Sequence, residues 1–359
     1  MKRILTFAVP MLMTLAFTRP DAHAWDIDNI CRAPAHIETD TSWHDDILHG
    51  YEARHVDQGQ QFDGPCRSTI IRKKQQPGTN RGVLFVHGFN DYFFQSEMGE
   101  RIADSGYRFY AVDLRRYGRS RLPWQYPFNI RDLRKYYADI DSGIAQMRRD
   151  GVEDITLLGH STGGLTVISY GTDRGAEITV DRIATDSPFL AWNFNFLYRH
   201  VLIPGVRNLS VVFKNAKVKQ AHCDGYAYSL LKNHYGEWTY DTDWKMIYSP
   251  PVTFSWTGAI QSAQNRVKKH GDRLAVPLLV MHSSHKVEGC GYTDEFMRGD
   301  AVLDPHMIRD VAQTIKKKSH NPVWICTIDS GIHNLILSRQ PQREAAYDTL
   351  FRFFKSHKR

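Results

Sequence analysis

Ser161 stands in Gly159-His160-Ser161-Thr162-Gly163, a G-x-S-x-G string with Gly164 behind it. An apolar run at residues 155–158 precedes the string, and a helical pattern from 162 to about 170 follows it. In that context the chemistry is specific. A sharp strand-to-helix turn throws the serine oxygen outward, small glycines let the backbone reverse, and the helix N-terminus favours developing negative charge. A serine hydroxyl is a weak nucleophile by itself. It needs a base to take its proton and a carboxylate to orient that base.

The base expected from position is His333, in Ser330-Gly331-Ile332-His333-Asn334, on the loop that follows an apolar strand pattern at 323–328. Seventeen histidines compete, but a base must sit where a sheet's C-terminal edge can bring it to the serine. The usual place for the carboxylate, just after a strand at 276–282, reads Ser283-Ser284-His285-Lys286 and holds none. Asp300 is the preferred acid, with residues 283–298 as an excursion of the loop. Asp186, at the end of an earlier strand, and Asp304 are the other two possibilities. Asp304 precedes Pro305 and suits the N-cap of a helix. The oxyanion donors expected are the backbone N–H groups of Thr162, next to the nucleophile, and Phe89, after His87-Gly88. His87 itself reads as structural.

Other chemistries have weaker support. His282, His285 and Glu288 are spaced at i, i+3 and i+6, but no H-E-x-x-H or cysteine-pair pattern accompanies them. No metal or cofactor is therefore expected. Lys316-Lys317-Lys318 is the densest basic run. It suits the carbonyl end of a helix better than a nucleic-acid patch, so no nucleic-acid partner is expected.

The elements that must carry these residues alternate. Strand patterns at 82–87, 108–113, 155–158, 182–185, 276–282 and 323–328 are separated by helical patterns at 96–105, 131–149, 305–318 and 342–356. Apolar strands buried on both faces and separated by helices predict a mostly parallel sheet with helices on each side. Residues 50–57 and 67–74 would add an antiparallel pair at its start. Residues 189–272 break the rhythm and are rich in aromatics, among them Phe189, Trp192, Trp238, Trp244 and Trp256. They read as an inserted helical cap with a small core of its own and a few aromatics facing the sheet's edge. The division expected is 25–188 and 273–359 as the core and 189–272 as the cap.

The N-terminus begins Met1-Lys2-Arg3, continues as an apolar run to Phe17 and reaches Ala22-His23-Ala24. This is the pattern of a secretory leader at 1–24 cleaved after Ala24, too short for the ~20 residues of a spanning helix. A secreted or periplasmic location follows as an expectation. Loss of Lys2, Arg3, Arg19 and Asp21 takes the formal charge from +7 to +5. That mild basicity leaves room for transient contact with an anionic membrane surface. Five cysteines remain. The pairs expected are Cys31–Cys66 and Cys223–Cys290, with Cys326 free in a buried strand.

The chain resembles the α/β-hydrolases of the monoglyceride lipase, lysophospholipase and serine aminopeptidase (S33) group. The resemblance lies in His87-Gly88, in Asp113-Leu114-Arg115-Arg116-Tyr117-Gly118-Arg119-Ser120, in Gly159–Gly164, in Asp300-Ala301-Val302-Leu303-Asp304-Pro305 and in Gly331-Ile332-His333. Arg116 departs from the group's glycine at that position, and the loop before Asp300 is unusually long. The resemblance implies an α/β-hydrolase fold and Ser161, Asp300 and His333 as the triad. With the aromatic cap it points to hydrolysis of small acyl esters or lipids. An exopeptidase or amidase on the same triad is the alternative, with Asp224, Glu237, Asp241 or Asp243 available to hold a free amine. A non-catalytic binding protein would not require the ordered serine, aspartate and histidine.

Overall fold

The computed structural model describes residues 31–194, 198–218 and 223–356. The expected leader lies outside them. Strands β1 (His44–Asp45), β2 (Tyr51–Gln61) and β3 (Gly64–Lys73) open the chain as antiparallel neighbours. The alternating part then runs β4 (Arg81–Val86), α1 (Ser96–Asp104), β5 (Arg108–Asp113), α2 (Tyr137–Arg149), β6 (Asp154–His160), α3 (Thr162–Arg174) and β7 (Arg182–Asp186). A long insertion carries α4 (Ile203–Leu209), α5 (Gly225–Leu230) and α6 (Phe254–Lys269). The chain closes with β8 (Leu278–Ser283), α7 (Pro305–Lys318), β9 (Val323–Ile328) and α8 (Gln340–Ser356).

One nine-stranded sheet results, ordered β1-β2-β3-β5-β4-β6-β7-β8-β9. β4 to β9 pair in parallel, and β3 meets β5 antiparallel. Alternation along each strand divides the core into two clusters, as a period of two requires. Leu84, Val86, Tyr110, Val112, Leu157 and Val280 face the layer of α2, α3, α6 and α7. Val83, Phe85, Phe109, Ala111, Leu158 and Met281 face α1 and α8. β4 to β8 are thus covered on both sides, and β9, at the sheet's edge, is partly covered, which is why the inner strands read as continuous hydrophobic runs.

The insertion does not build the separate core expected from its aromatics. Phe189, Trp192 and Trp256 join the first cluster, and Leu230, Leu231 and Tyr240 join the second. Helices as short as α4 and α5 bury too little surface alone and must borrow the sheet's core. α6 is longer and packs against α3 and α7 as a flanking helix.

The cysteines differ from expectation at one pair. Cys223 and Cys290 are disulfide-bonded, and Cys326 is free. Cys31 and Cys66 do not pair: Cys31 is exposed and Cys66 is buried. Cys66 lies on β3, where its Sγ faces the Gln58 carbonyl and the Arg115 guanidinium, each at 3.8 Å. Burial pushes that thiol up, away from the reactive thiolate. Among the described residues no helix is long and apolar enough to cross a membrane.

Candidate active site

The end of β6 is where the backbone turns hardest. Ser161 has φ +54° and ψ −117°, a conformation L-residues rarely adopt. It is fixed from several sides. Ser161 N–H donates to the Asp186 carbonyl at 3.0 Å, and its own carbonyl accepts from Leu165 and Phe189. The flanking glycines are steric necessities. A Cβ on Gly159 would lie 2.6 Å from the Gly163 carbonyl oxygen, and one on Gly163 would strike the carbonyl oxygens of Val86 and His87. The strand-turn-helix can close only where both side chains are absent.

His333 sits on the loop after β9. Its Nε2 is 3.0 Å from Ser161 Oγ, and its Nδ1 is 2.9 Å from Asp300 Oδ2. An ionised carboxylate only accepts, so Nδ1 carries the proton and Nε2 is left to accept from the serine hydroxyl. Asp300 is fully buried, and its other oxygen accepts from the N–H groups of Val302 (2.8 Å) and Leu303 (2.7 Å). Both oxygens are thereby committed. The excursion before it is closed at its base. Asp300 N–H donates to the His285 carbonyl at 3.0 Å, and Val287 N–H donates to the Asp300 carbonyl at 2.8 Å. This two-bond ladder returns the chain to the sheet's rim despite the long detour.

The other two carboxylates have different work. Asp304 caps α7, accepting from His306 N–H at 2.9 Å. Asp186 is buried and accepts from Leu335 N–H at 3.0 Å, which anchors the His333 loop from below. Burial lifts its carboxyl to about 7, against the backbone donors of the His333 loop, which lower it. His160 lies beside both, its ring 4.9 Å from that of His333. Burial, then the neighbouring His333, push it well below the usual histidine range, so it stays neutral there.

The two residues expected to give oxyanion donors are neighbours of the serine, one along the chain and one through Gly88. Thr162 is the first residue of α3, so its N–H has no acceptor within the helix. Gly88 packs directly on Ser161: a Cβ there would lie 3.0 Å from the serine's Cβ. Phe89 follows Gly88 directly in the chain. His87 is structural, as expected. Its Nε2 accepts from Leu114 N–H at 3.0 Å, which leaves Nδ1–H to donate to the Gly88 carbonyl at 2.9 Å.

Arg116, in the place of a glycine, takes φ +71°. The turn keeps a glycine-like backbone because Arg116 is buried in an ion pair with Asp63, Nε to Oδ2 2.9 Å. Nearby, Arg119 joins Asp113 (2.8 Å) to Asp46 (2.6 Å) in a buried bridge, and Asp113 also accepts from Phe93 N–H at 2.9 Å. The loops after β4 and β5 are thereby tied together.

Sequence patterns gave no sign of three further residues. Tyr226, from α5, stands edge-on to His333 with ring centroids 5.8 Å apart. Its hydroxyl is buried without a hydrogen-bond partner among the described residues. Asn90 and Lys245 join the loop after β4 to the insertion. Only its place on a loop beside a strand-end His-Gly could have pointed to Asn90, and nothing local marks Lys245. Of the carboxylates set aside for a substrate's amine, Asp224 accepts from Tyr248, Glu237 pairs with Arg343, and Asp241 accepts from Asp243 N–H. All three are occupied locally.

A mostly parallel sheet with a strained serine at the turn between β6 and α3 defines an α/β-hydrolase. The chain belongs to the serine aminopeptidase, S33, family, whose sequence profile matches residues 78–287. It is a hydrolase. It is 33% identical over 105 residues to the AB hydrolase superfamily protein YisY of Bacillus subtilis, a match covering 28% of this chain and 36% of that protein. The matched region thus spans about a third of that relative's length. Among solved structures, monoglyceride lipase from Saccharomyces cerevisiae aligns with TM-score 0.60 and 15% identity, over 85% of this chain and 95% of that one. Monoacylglycerol lipase from Paleococcus ferrophilus aligns with TM-score 0.56 and 18% identity, over 82% and 99%. A carboxyl esterase from Bacillus coagulans gives 0.58 and 14%, over 85% and 98%. At these identities the likeness establishes the fold.

Proposed function

We propose that the protein is an exported serine hydrolase that cleaves carboxylic esters through Ser161, His333 and Asp300. The observation that carries this reading is the continuous hydrogen-bonded line from Ser161 Oγ to His333 to Asp300. Ser161 Oγ attacks the ester carbonyl while His333 Nε2 takes its proton. The oxyanion that forms is held by the N–H groups of Phe89 and Thr162. Collapse expels the alcohol, which receives the proton from His333. Water then repeats the sequence on the acyl-enzyme. Asp300 holds the imidazole in the correct tautomer and stabilises its protonated form.

An apolar acyl chain is supported by the aromatic surroundings. Phe89 packs on Phe128 and Trp256, and Phe189, bonded to the Ser161 carbonyl, packs on Trp192. A nitrophenyl-ester series of increasing chain length tests it. Turnover should rise from acetyl to medium chains and vanish in Ser161→Ala. Turnover that persists in Ser161→Ala, or amide cleavage well above ester cleavage, would reject the ester reading.

Export is supported by the leader pattern and by a disulfide, which suits an oxidising compartment. Transient contact with a membrane surface is supported by an exposed apolar stretch. Val211 (72% exposed), Val212 (74%) and Phe213 (49%) project together, followed by Lys214 and Lys217. Apolar tips beside cations suit an anionic lipid surface. Flotation with phosphatidylglycerol vesicles should carry the protein upward and lose it in Val212→Glu/Phe213→Glu; equal flotation of both would remove the patch from the account.

A further inference from the structure

The stretch from Asp241 to Ser249 belongs to the insertion, yet it is bolted to the loop after β4. Asp241 N–H donates to Tyr92 Oη at 2.8 Å. Lys245 Nζ pairs with Asp91 Oδ1 at 2.9 Å, with side chains 9% and 1% exposed. Asn90 closes the set. Its Nδ2 donates to the Met246 carbonyl (2.7 Å) and to Ser249 Oγ (2.9 Å), and its Oδ1 accepts from Met246 N–H (2.8 Å). These bonds grip the residues that flank Phe89 on its C-terminal side. Asp91 also reaches back across Phe89, its Oδ2 accepting from Gly88 N–H at 3.3 Å. Asn90 itself takes φ +49°, so the peptide unit carrying the Phe89 N–H is followed by a strained corner that these partners hold open.

From this we infer that residues 241–249 form a fixed clamp on the oxyanion loop, and that Asn90, Asp91 and Lys245 are positioning residues aiming the Phe89 N–H. The inference rests on the serine-hydrolase reading above. It also divides the insertion by role. The stretch against Asn90 stays seated during turnover. A half-buried amide with two donors and one acceptor satisfied by one peptide and one hydroxyl is a geometry-fixing device, since turning it away breaks three hydrogen bonds at once. The Lys245–Asp91 pair acts alike: moving either partner leaves a buried charge uncompensated.

The clamp acts on a donor used only once the oxyanion has formed, so its loss should appear in kcat and leave KM in place. Asn90→Ala is expected to lower kcat about 100-fold, the scale of losing one oxyanion donor, with KM within about twofold. Affinity for an alkyl trifluoromethyl ketone, which forms the same oxyanion on Ser161, should fall by a similar factor. Lys245→Met should follow in the same direction, and Lys245→Arg should restore part of the loss. Folded Asn90→Ala with unaltered kcat and ketone affinity, or with KM alone raised, overturns the clamp. If Asn90→Ala does not fold, Ser249→Ala removes one partner of the same amide. It should lower kcat severalfold at constant KM, and unchanged kcat overturns the inference. Ser161→Ala, measured in parallel, separates the two levels. Its inactivity beside a fully active Asn90→Ala sinks the clamp alone, whereas its retained turnover sinks the serine-hydrolase reading and the clamp with it.

Discussion

Asp186 accepts the backbone N–H of Leu335, two residues beyond His333, at 3.0 Å. One strand end thereby supports both halves of the site. The Asp186 carbonyl receives the Ser161 N–H, and its carboxylate receives the loop that carries the base. A buried aspartate at the end of β7 spaces serine and histidine without taking part in the hydrogen-bonded line between them.

This role has a pH signature. Burial lifts the Asp186 carboxyl to about 7, whereas an unfolded aspartate releases its proton near 3.8. Between those values the folded protein holds a proton that the unfolded chain has lost. Stability from this group is therefore full below about pH 4 and declines as pH rises toward 7. His160 and His333 face the same carboxylate. His160, kept neutral by burial, imposes the opposite slope below about pH 6.5. Asp186→Asn should remove the Asp186 component, so thermal midpoints from pH 4 to 7 should fall less with rising pH than in the wild type. Identical slopes in both proteins would contradict the assignment.

The disulfide should matter to the site as well as to stability. Cys223–Cys290 joins the start of α5, which carries Tyr226, to the excursion before Asp300. Gly225 N–H donates to the Cys290 carbonyl at 2.9 Å, which tightens the same junction. The bond closes 67 residues of chain, and its loss should cost about 2–4 kcal/mol of unfolding free energy. Cys223→Ser/Cys290→Ser is expected to lower the denaturant midpoint and kcat together. A double variant with wild-type midpoint and activity would make the bond incidental.

Much of the frame could be read from residue patterns, and the reason is periodicity. Strands buried on both faces appear as unbroken apolar runs, so β4 to β9 were legible within a residue or two. α7 was legible because Asp304-Pro305 marks its start. Ser161 and His333 were legible because each follows such a strand directly. Asp300 was harder, since its position depends on a ladder with His285 and Val287 that no local pattern encodes. The insertion was the least legible part. Its aromatics suggested a private core, but they are shared between the sheet's two faces, and that choice depends on tertiary packing. Cys66 misled for a similar reason: its partner is the buried Arg115, which sequence spacing cannot reveal.

The central proposal is that His333, under the control of Asp300, activates Ser161. Its most direct test is the rate at which a fluorophosphonate labels Ser161, mapped by mass spectrometry, in the wild type and in Asp300→Asn. A single adduct on Ser161 is expected in the wild type, with labelling slower by about 10³–10⁴-fold in Asp300→Asn, because the imidazole then presents the wrong tautomer. Labelling at another residue, or an Asp300→Asn rate equal to that of the wild type, would contradict it.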